Sequence, residues 1–469
     1  MNELASERLA ADPRLAQAKQ LILAALAEHT GSVHSIKAAD PERKVSYQTM
    51  LDNCGVYRGG DLFYPYLSSG AGNGPFVELA DGSVKLDMII GIGVHGFGHC
   101  NPDLVTAGID SAISDTVMQG NLQTNTQSVQ LSKTFIDLAN QNVAASETEN
   151  RFAHCFLSTS GAMANENALK MAFQKNYPAN RILAFRHCFA GRTLGLAQVT
   201  DKAAYRDGLP ETINVDYLPF YDAAKHEQSI KSAVTHLRSH LNRHPGKYAA
   251  FWMELIQGEA GYYPGHRDFF MALINELKDQ NCAIIADEVQ TFSRTSEPFA
   301  TQYFQLEEHV DVITVGKITQ VCATIFKANY NPRPGLISQT FTGSTWAINA
   351  AQTIIQGLID RGNFGEGGLN DQLHSHFADH LKRIGDEHPG TVSGPYGIGG
   401  MVAFTPCDGS AEKAKQMCHA LYDAGLMGFI AGGSPSRIRF LLPLGVVTME
   451  HIDLAAEIIE SVASEMKSV

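Results

Sequence analysis

The stretch from Cys282 to Lys317 reads CAIIADEVQTFSRTSEPFATQYFQLEEHVDVITVGK, and it decides the fold. Its first five residues form an unbroken apolar run, which predicts a strand buried on both faces. That strand ends in Asp287 and Glu288, and a carboxylate at the end of a buried strand needs a cationic partner. Residues 311–315 are a second, β-branched strand, and they deliver Lys317 just beyond their end.

Asp287 and Lys317 are expected to face one site, because an open α/β sheet binds its ligands at the carboxyl ends of its strands. A poorly solvated lysine has a lowered pKa and acts as a nucleophile towards a carbonyl group, or as a base. An aspartate beside it suits the protonated ring nitrogen of pyridoxal phosphate. The spacing alone equally allows Asp287 to cap a turn and Lys317 to be a solvated surface lysine.

The residues around these two positions resemble a known family. Asp287-Glu-Val-Gln-Thr, followed by Gly316-Lys-Ile-Thr-Gln-Val-Cys, is similar to the signature of the class III (ω-amino acid) pyridoxal-phosphate aminotransferases. The Lys-x-Thr-Gln-Val-Cys run looks most like the L-lysine 6-aminotransferase branch. The resemblance extends from about Leu86 to the C-terminus. It implies fold type I, an α/β architecture with a mainly parallel seven-stranded sheet in a large domain and a smaller α+β domain made from both chain ends.

The resemblance also implies a division into domains. Residues 1–85 would form an N-terminal extension and part of the small domain, residues 86–350 the large cofactor domain, and residues 351–469 the C-terminal small domain. Within the first part, a helix is predicted from Pro13 to His29, and the residues that follow to about 60 are polar and irregular. Turn signals between residues 64 and 87 predict a small antiparallel sheet.

Composition excludes several classes of function. The formal net charge of −13 argues against a general nucleic-acid binder or a protein of anionic membranes. The eight cysteines include no Cys-x-x-Cys pair, which favours reduced thiols in a cytoplasmic protein. We expect no signal peptide at the acidic N-terminus and no membrane span. His95 and His99 lack a further ligand at suitable spacing, so no metal site is expected.

A phosphate site is predicted where residues 155–170 read as strand, glycine turn and helix start. The first turn of a helix offers free backbone N–H groups and the positive end of the helix dipole. Such a turn occurs in many α/β proteins, and it is the resemblance that assigns the phosphate to Ser160, Gly161 and Ala162.

The resemblance implies further contacts to the cofactor ring. Phe189 matches the family residue that covers one face, although a phenylalanine here equally suits the core. Val289 would cover the other face, and Gln290 would hydrogen-bond the phenolic oxygen. Thr345 matches a residue that reaches the phosphate of the neighbouring subunit, which implies a homodimer with shared active sites.

Three charged residues are implied in substrate binding. Arg192 matches an arginine that holds the substrate α-carboxylate in the lysine branch and is structural elsewhere in the family, and both roles stay open. Alternation along one strand puts Arg437 and Arg439 on the same face, and the family position selects Arg439 for the 2-oxo acid. Glu259 matches an acid that neutralises this arginine for donors lacking the matching carboxylate.

The implied function is a ping-pong aminotransferase with Lys317 and Asp287 as its catalytic residues. It would move the terminal amino group of an amino acid such as L-lysine to 2-oxoglutarate, giving a semialdehyde and glutamate. Ornithine, acetylornithine and 4-aminobutyrate are alternative donors, and an aminomutase or decarboxylase is the alternative reaction. Met163, Ala190 and Leu255 depart from the family pattern, which leaves open a cofactor-binding protein with little catalysis.

Overall fold

The computed structural model describes residues 3–115 and 122–467. The sequence prediction for the N-terminus includes Met1 and Asn2, which lie outside the described residues. The chain divides into two compact units. We call the unit formed by Met1–Thr116, Leu373–Pro395 and Val402–Val469 the terminal unit, and the unit formed by Val117–Gln372 and Tyr396–Met401 the central unit.

The strands are named in chain order. They are β1 (Ser68–Asn73), β2 (Phe76–Leu79), β3 (Val84–Asp87), β4 (Phe152–Ser158), β5 (Arg181–Phe185), β6 (Asn214–Leu218), β7 (Tyr248–Met253), β8 (Ile256–Gln257), β9 (Tyr263–Pro264), β10 (Ala283–Glu288), β11 (Val312–Val315), β12 (Cys322–Lys327), β13 (Val392–Ile398), β14 (Met401–Pro406), β15 (Leu426–Met427), β16 (Phe429–Gly432) and β17 (Ser436–Leu441).

The α-helices follow the same order. They are α1 (Ala5–Ala10), α2 (Pro13–Thr30), α3 (Lys44–Arg58), α4 (Ile90–Gly93), α5 (Pro102–Ala112), α6 (Thr126–Ala139), α7 (Gly161–Lys175), α8 (Leu196–Val199), α9 (His226–Arg243), α10 (Arg267–Leu277), α11 (Ala300–Tyr303), α12 (Thr345–Asp360), α13 (Leu369–Glu387), α14 (Ala411–Asp423) and α15 (Met449–Lys467). No helix of these described residues is long and apolar enough to cross a membrane.

The central unit is built on a seven-stranded sheet with the order β4-β12-β11-β10-β7-β5-β6. β10 pairs in parallel with β11 and β7, and β5 pairs in parallel with β6 and β7. β12 runs antiparallel to both of its neighbours, β11 and β4. The prediction of a mainly parallel seven-stranded sheet is therefore confirmed.

Burial on both faces explains why the strands of this sheet read as apolar runs. Every residue of β10 is buried, and Ile285 lies opposite Trp252 of β7 and Val312 of β11. All three side chains belong to one hydrophobic cluster that also includes the buried face of α7. A strand covered on both sides has no solvent face to make polar, so its sequence does not alternate.

The terminal unit contains two four-stranded sheets, with the orders β1-β2-β3-β15 and β13-β14-β17-β16. β1, β2 and β3 pair antiparallel, which confirms the sheet predicted from the turn signals. β15 then adds to β3 in parallel, with Leu426 opposite Leu86. Residues from both ends of the chain thus complete one sheet, as predicted for the small α+β domain.

The segment after His29 was predicted to be irregular, and that prediction was wrong over Lys44–Arg58, which form helix α3. Tyr47 is the buried residue of α3, so the helix has no apolar stripe for a periodicity search to detect. The helix ends at Gly59, whose φ of 76° supplies a left-handed cap.

We expect Ile285→Ala to lower the free energy of unfolding by about 2 to 5 kcal/mol, because the smaller side chain leaves a cavity at the centre of the sheet. Ile359→Ala on α12 is the matched control, since that side chain is 42% exposed. The control should change stability by no more than about 0.5 kcal/mol. Urea unfolding followed by tryptophan fluorescence measures both, and equal effects would contradict this account of the core.

Candidate active site

Asp287 and Lys317 lie at the carboxyl ends of the adjacent parallel strands β10 and β11. Asp287 is in register with Thr314, and Lys317 follows β11 after one glycine. The backbone of Lys317 is left-handed, with φ of 54°, which is uncommon for a lysine and suggests a constrained position. Burial raises the pKa of Asp287, and the positive charge of Lys317 offsets part of that rise. The two predicted residues therefore interact electrostatically.

The carboxylate of Asp287 is buried and held by three hydrogen bonds. Oδ1 accepts from the Val289 backbone at 3.0 Å and from the Thr314 hydroxyl at 3.4 Å. Oδ2 accepts from Asn165 Nδ2 at 2.8 Å. Burial raises the pKa of Asp287 to about 6, while these bonds and Lys317 act in the opposite direction. A carboxylate in this setting is well suited to a cationic ligand, which would remove the penalty of burial.

Asn165 joins three elements at this point, and sequence analysis missed it. Its Nδ2 donates to Asp287 and, at 2.7 Å, to the carbonyl of Ala190 in the loop after β5. It lies on α7 beside the buried residues Ala164 and Ala168. A polar residue within the buried face of a predicted helix was the available signal, because such a group needs partners in the interior.

The residues predicted to hold a phosphate form the start of α7. Ser160 is the N-cap, and its hydroxyl accepts from the Met163 backbone at 3.2 Å. The N–H groups of Gly161 and Ala162 are in the first turn, where no helical carbonyl is available to them. The fifteen residues of α7 direct the positive end of the helix dipole at this place.

Val289 packs between two glycines that no other residue could replace without movement. A Cβ at Gly161 would lie 2.7 Å from Val289 Cγ1, and a Cβ at Gly316 would lie 3.2 Å from the same atom. The first residue of α7 and the residue before Lys317 thereby both pack on Val289, the residue that follows β10. The predicted phosphate cup and the predicted ring contact are neighbours.

A buried carboxyl group fixes the loop that carries Phe189. Glu254 Oε2 accepts from the Phe189 backbone at 2.7 Å, and Oε1 accepts from the Gly258 backbone at 3.2 Å. Burial, followed by the nearby charge of Asp287, raises the pKa of Glu254 to about 8. Phe189 itself is only partly buried, so its ring is not a core residue of the unit.

Two buried acceptors at the site test whether the predicted cofactor fits. Asn165 Oδ1 and Gln290 Oε1 are inaccessible to solvent, and no donor among residues 3–115 and 122–467 reaches them. Gln290 packs so closely on Gly258 that a Cβ there would lie 1.9 Å from its Oε1. Orphaned acceptors beside a buried carboxylate, a helix N-terminus and a lysine fit a phosphorylated heteroaromatic aldehyde that carries a hydroxyl group.

Arg192 and Glu259 belong to a charged cluster that also contains two residues not predicted from sequence, Lys202 and Tyr205. The guanidinium of Arg192 lies 4.3 Å from the centroid of the Tyr205 ring and donates to its hydroxyl at 2.9 Å. Lys202 Nζ is 3.2 Å from the same hydroxyl and 3.4 Å from Glu259 Oε1. Two cations and one carboxylate therefore meet at one phenol.

Thr345 is the first residue of α12 and is buried, and its hydroxyl accepts from Asn125 Nδ2 at 3.2 Å. Unlike Thr345, the aromatic residues near it in sequence are exposed. Phe341 is 59% exposed and Trp346 is 56% exposed in the single chain. Large apolar side chains on both sides of Thr345 thus face solvent.

Arg437 and Arg439 lie on β17 in the terminal unit, and both are buried, so burial does not separate them. Arg439 is opposite Phe429 of β16, and its guanidinium lies 5.9 Å from the Phe429 ring. Phe429 and Ile92 line a cavity of about 230 Å³ within this unit. Arg439 therefore contacts, through Phe429, one wall of an apolar cavity of its own unit.

His95 and His99 are also in the terminal unit. His99 Nε2 is 3.0 Å from Asp87 Oδ2, and the two imidazole rings are 5.0 Å apart. Burial lowers the pKa of His95, which keeps its ring neutral. The pair makes ordinary structural contacts.

Comparison with known proteins gives concordant findings. The family profile described as aminotransferase class-III matches residues 64–463. The chain is 28% identical over 415 residues to an acetylornithine aminotransferase of Methanocaldococcus jannaschii, covering 84% of this chain and 93% of that protein. It is 29% identical over 396 residues to the acetylornithine aminotransferase of Archaeoglobus fulgidus, covering 82% and 93%.

Solved structures show the same fold. A lysine aminotransferase from M. tuberculosis matches with a TM-score of 0.73 and 22% identity, over 83% of this chain and 92% of that chain. At this level of identity the likeness concerns the fold.

We expect a pH dependence of stability from Glu254. Its pKa of about 8 in the folded protein exceeds the ordinary value of 4.5, so its contribution is fully present below about pH 4.5 and is lost as the pH rises through 8. Glu254→Gln should therefore flatten the fall of the thermal midpoint between about pH 4.5 and about pH 8 in the cofactor-free protein. Glu227→Gln, at an exposed position of α9, is the control and should leave the slope unchanged. Equal slopes in wild type and Glu254→Gln would contradict the assignment.

Proposed function

The chain belongs to the class-III aminotransferases, and from this premise we propose that it moves the terminal amino group of an amino acid such as L-lysine to 2-oxoglutarate. The products would be a semialdehyde and glutamate. Family membership confirms the predicted fold type I, the transaminase class and the use of pyridoxal 5′-phosphate. The donor and the individual site residues are the proposal.

One observation supports the assignment of the site most directly. A buried carboxylate, the N-terminus of a long helix and a lysine converge at the carboxyl edge of one sheet, tied together by Asn165 and Val289. The three groups match the three charged or reactive parts of the cofactor: its ring nitrogen, its phosphate and its aldehyde. The protonated ring nitrogen is the only cationic part of the three, so charge pairs it with the carboxylate.

The residues of the central unit would hold the cofactor as follows. Ser160, Gly161 and Ala162 bind the phosphate, Asp287 binds the ring nitrogen, Val289 and Phe189 cover the two ring faces, and Gln290 accepts from the phenolic hydroxyl. When bound, the cofactor supplies an electron-withdrawing ring that stabilises negative charge on the carbon next to the substrate nitrogen. Asp287 keeps the ring nitrogen protonated, and its raised pKa falls once that cation is present.

Lys317 performs two tasks in this proposal. Its Nζ would be the group that holds the cofactor at its aldehyde. The same Nζ would be the base that moves a proton from the amino-bearing carbon of the donor. The left-handed backbone at Lys317, between Gly316 and a short 3₁₀ turn, restricts the directions that the side chain can take.

The cluster around Tyr205 supports a donor that carries a carboxylate at the end remote from the reacting amine. Arg192 is stacked on the ring and hydrogen-bonded to its hydroxyl, so the guanidinium is oriented before substrate binds. Lys202 adds a second cation, and Glu259 balances one of the two charges. The net positive cluster suits the α-carboxylate of lysine, with its terminal amine directed to the cofactor.

Arg439 is proposed to bind the carboxylate next to the reacting carbon of 2-oxoglutarate. Glu259 was predicted to neutralise this arginine when the donor lacks the matching carboxylate. Its ion pair with Lys202 at 3.4 Å supports an additional role, in which Glu259 also sets the charge around Arg192.

N-acetylornithine is the second candidate donor. It carries an α-carboxylate and a terminal-chain amine like those of lysine, and the relatives at 28–29% identity are acetylornithine aminotransferases. Ornithine and 4-aminobutyrate remain the other donors to test, and an aminomutase or decarboxylase remains the other class of reaction.

We also propose a cytoplasmic homodimer with shared active sites. The eight cysteines are free thiols, which supports a reducing compartment. Exposed Phe341 and Trp346 on either side of Thr345 support a subunit interface there, because apolar side chains of this size are usually covered. In this arrangement the partner subunit's Thr345 would complete the phosphate site.

We expect Lys317→Ala to lose the visible absorbance of the bound cofactor and to lower transamination at least about a thousandfold, because the nucleophile and the base are the same atom. Half-reactions with L-lysine, N-acetylornithine, ornithine and 4-aminobutyrate, followed by the cofactor spectrum, identify the donor. Lys415→Ala, at an exposed position of α14, should behave as wild type. Unchanged turnover in Lys317→Ala would exclude the assigned nucleophile.

The two arginines are expected to affect different substrates. Arg439→Lys should raise the KM for 2-oxoglutarate about 10- to 100-fold, and Arg192→Lys should raise the KM for the donor by a similar factor, because lysine cannot form two parallel bonds to a carboxylate. Arg437→Lys, on the same face of β17, is the matched control. A rise in the KM for 2-oxoglutarate in Arg437→Lys alone would move the assignment to Arg437.

A further inference from the structure

Two histidines one helical turn apart meet one aspartate in the terminal unit, and none of the three is assigned a role above. His376 and His380 are four residues apart on α13, and Asp453 is on α15. His376 Nε2 lies 2.6 Å and His380 Nε2 lies 2.8 Å from the same atom, Asp453 Oδ1. The two imidazole rings are 4.8 Å apart and nearly perpendicular, at 88°.

The helices that carry this triad are fixed by the core. Phe377 and Leu381 of α13 are buried, as are Ile452 and Ala456 of α15. Because His376 and His380 are four residues apart, both side chains extend from the same face of α13. The positions of both ring nitrogens are therefore determined by two long, packed helices rather than by a loop.

The next turn of the same pair of helices shows what an ordinary ion pair looks like here. Arg383 donates to Glu460 at 2.8 Å and to Glu387 at 2.7 Å. At Asp453 the chain instead presents two imidazoles to one carboxylate oxygen. Two imidazoles and a carboxylate are a common ligand set for zinc.

We propose that His376, His380 and Asp453 bind one divalent transition-metal ion, with Zn²⁺ the best match, and that the ion joins α13 to α15. Imidazole and carboxylate ligands suit Zn²⁺, Co²⁺ and Ni²⁺ and are poor ligands for Mg²⁺ or Ca²⁺ when nitrogen predominates. Water completes the coordination sphere. The site supports the fold of the terminal unit and takes no part in the transfer of the amino group.

The geometry requires only a small adjustment. Zinc binds imidazole nitrogen and carboxylate oxygen at about 2.0 to 2.2 Å, so tetrahedral ligands lie roughly 3.4 Å apart. Each distance from Asp453 Oδ1 to a ring nitrogen, now 2.6 and 2.8 Å, would therefore lengthen by roughly 0.6 to 0.8 Å. The Asp453 side chain is 45% exposed and those of His376 and His380 are 35% and 23% exposed, so an ion reaches the site without opening the core.

Two other groups of histidine and acid in the described chain are weaker candidates. In the group of His226, His266 and Asp268, His266 Nδ1 already accepts the capping N–H of Asp268 at 3.2 Å. In the group of Glu387, His388 and Glu460, the guanidinium of Arg383 already occupies the space between the two acids. The triad at Asp453 is free of such competition, since the bonds within it are those that a metal ion would replace.

The test uses the cofactor-loaded enzyme without an affinity tag, after treatment with EDTA. Titration with ZnCl₂ against a chromophoric chelator should show one tight site per chain, and CoCl₂ should give the visible absorption of nitrogen-coordinated Co²⁺. His376→Ala and Asp453→Asn should each weaken binding by about 10- to 100-fold, as expected for loss of one ligand. The cofactor spectrum and the transamination half-reaction should not change, which shows that these variants are folded.

Two controls match the variants in chemistry. Asp379→Asn removes a carboxylate from the same helix, and His236→Ala removes an exposed histidine of α9 that bonds the Ser232 carbonyl. Both should keep the site. A wild-type protein that binds no Zn²⁺, or Zn²⁺ that remains tightly bound in both His376→Ala and Asp453→Asn, would overturn the proposal. His380→Gln provides an independent third variant if either of the first two fails to fold.

Discussion

The structure depends on keeping one carboxylate ionisable in a place that water does not reach. Asp287 ends a strand that is covered on both faces, so its charge must be satisfied by groups supplied from elsewhere in the unit. Asn165 provides the decisive contact, because the same amide also binds the carbonyl of Ala190. The Asn165 amide therefore fixes the positions of Asp287, the start of α7 and the loop after β5 relative to one another.

Parallel topology brings the remaining groups to the same edge. β7, β10 and β11 are neighbours that end on one side, and Glu254, Asp287 and Lys317 follow them in order across the sheet. Glu254 and Asp287 are both buried carboxyl groups, and burial raises the pKa of each. The charge of Asp287 adds to the effect of burial on Glu254, and a cation bound beside the two groups would offset it.

Sequence analysis predicted the features that depend on local pattern. The apolar run of β10 and the glycine turn before α7 could be predicted because a strand buried on both faces and a tight turn restrict residue type. The roles of Asn165, Lys202 and Tyr205 could not be predicted. Each role depends on contacts with residues that are not adjacent in the sequence. A local sequence pattern does not indicate such contacts. Helix α3 was missed for the opposite reason, since it has almost no buried face to create a periodicity.

The parallel pairing of β3 with β15 has a consequence for how the chain is made. Leu86 leaves the ribosome long before Leu426, and at usual rates of synthesis the delay is on the order of tens of seconds. The central unit is nearly contiguous in sequence and can complete itself during that interval. Strands β1, β2 and β3 must wait, with one edge of their small sheet open, until Leu426 and Met427 of β15 emerge. A ribosome that stalls before Leu426 would thus leave these early strands without the neighbour that completes their sheet.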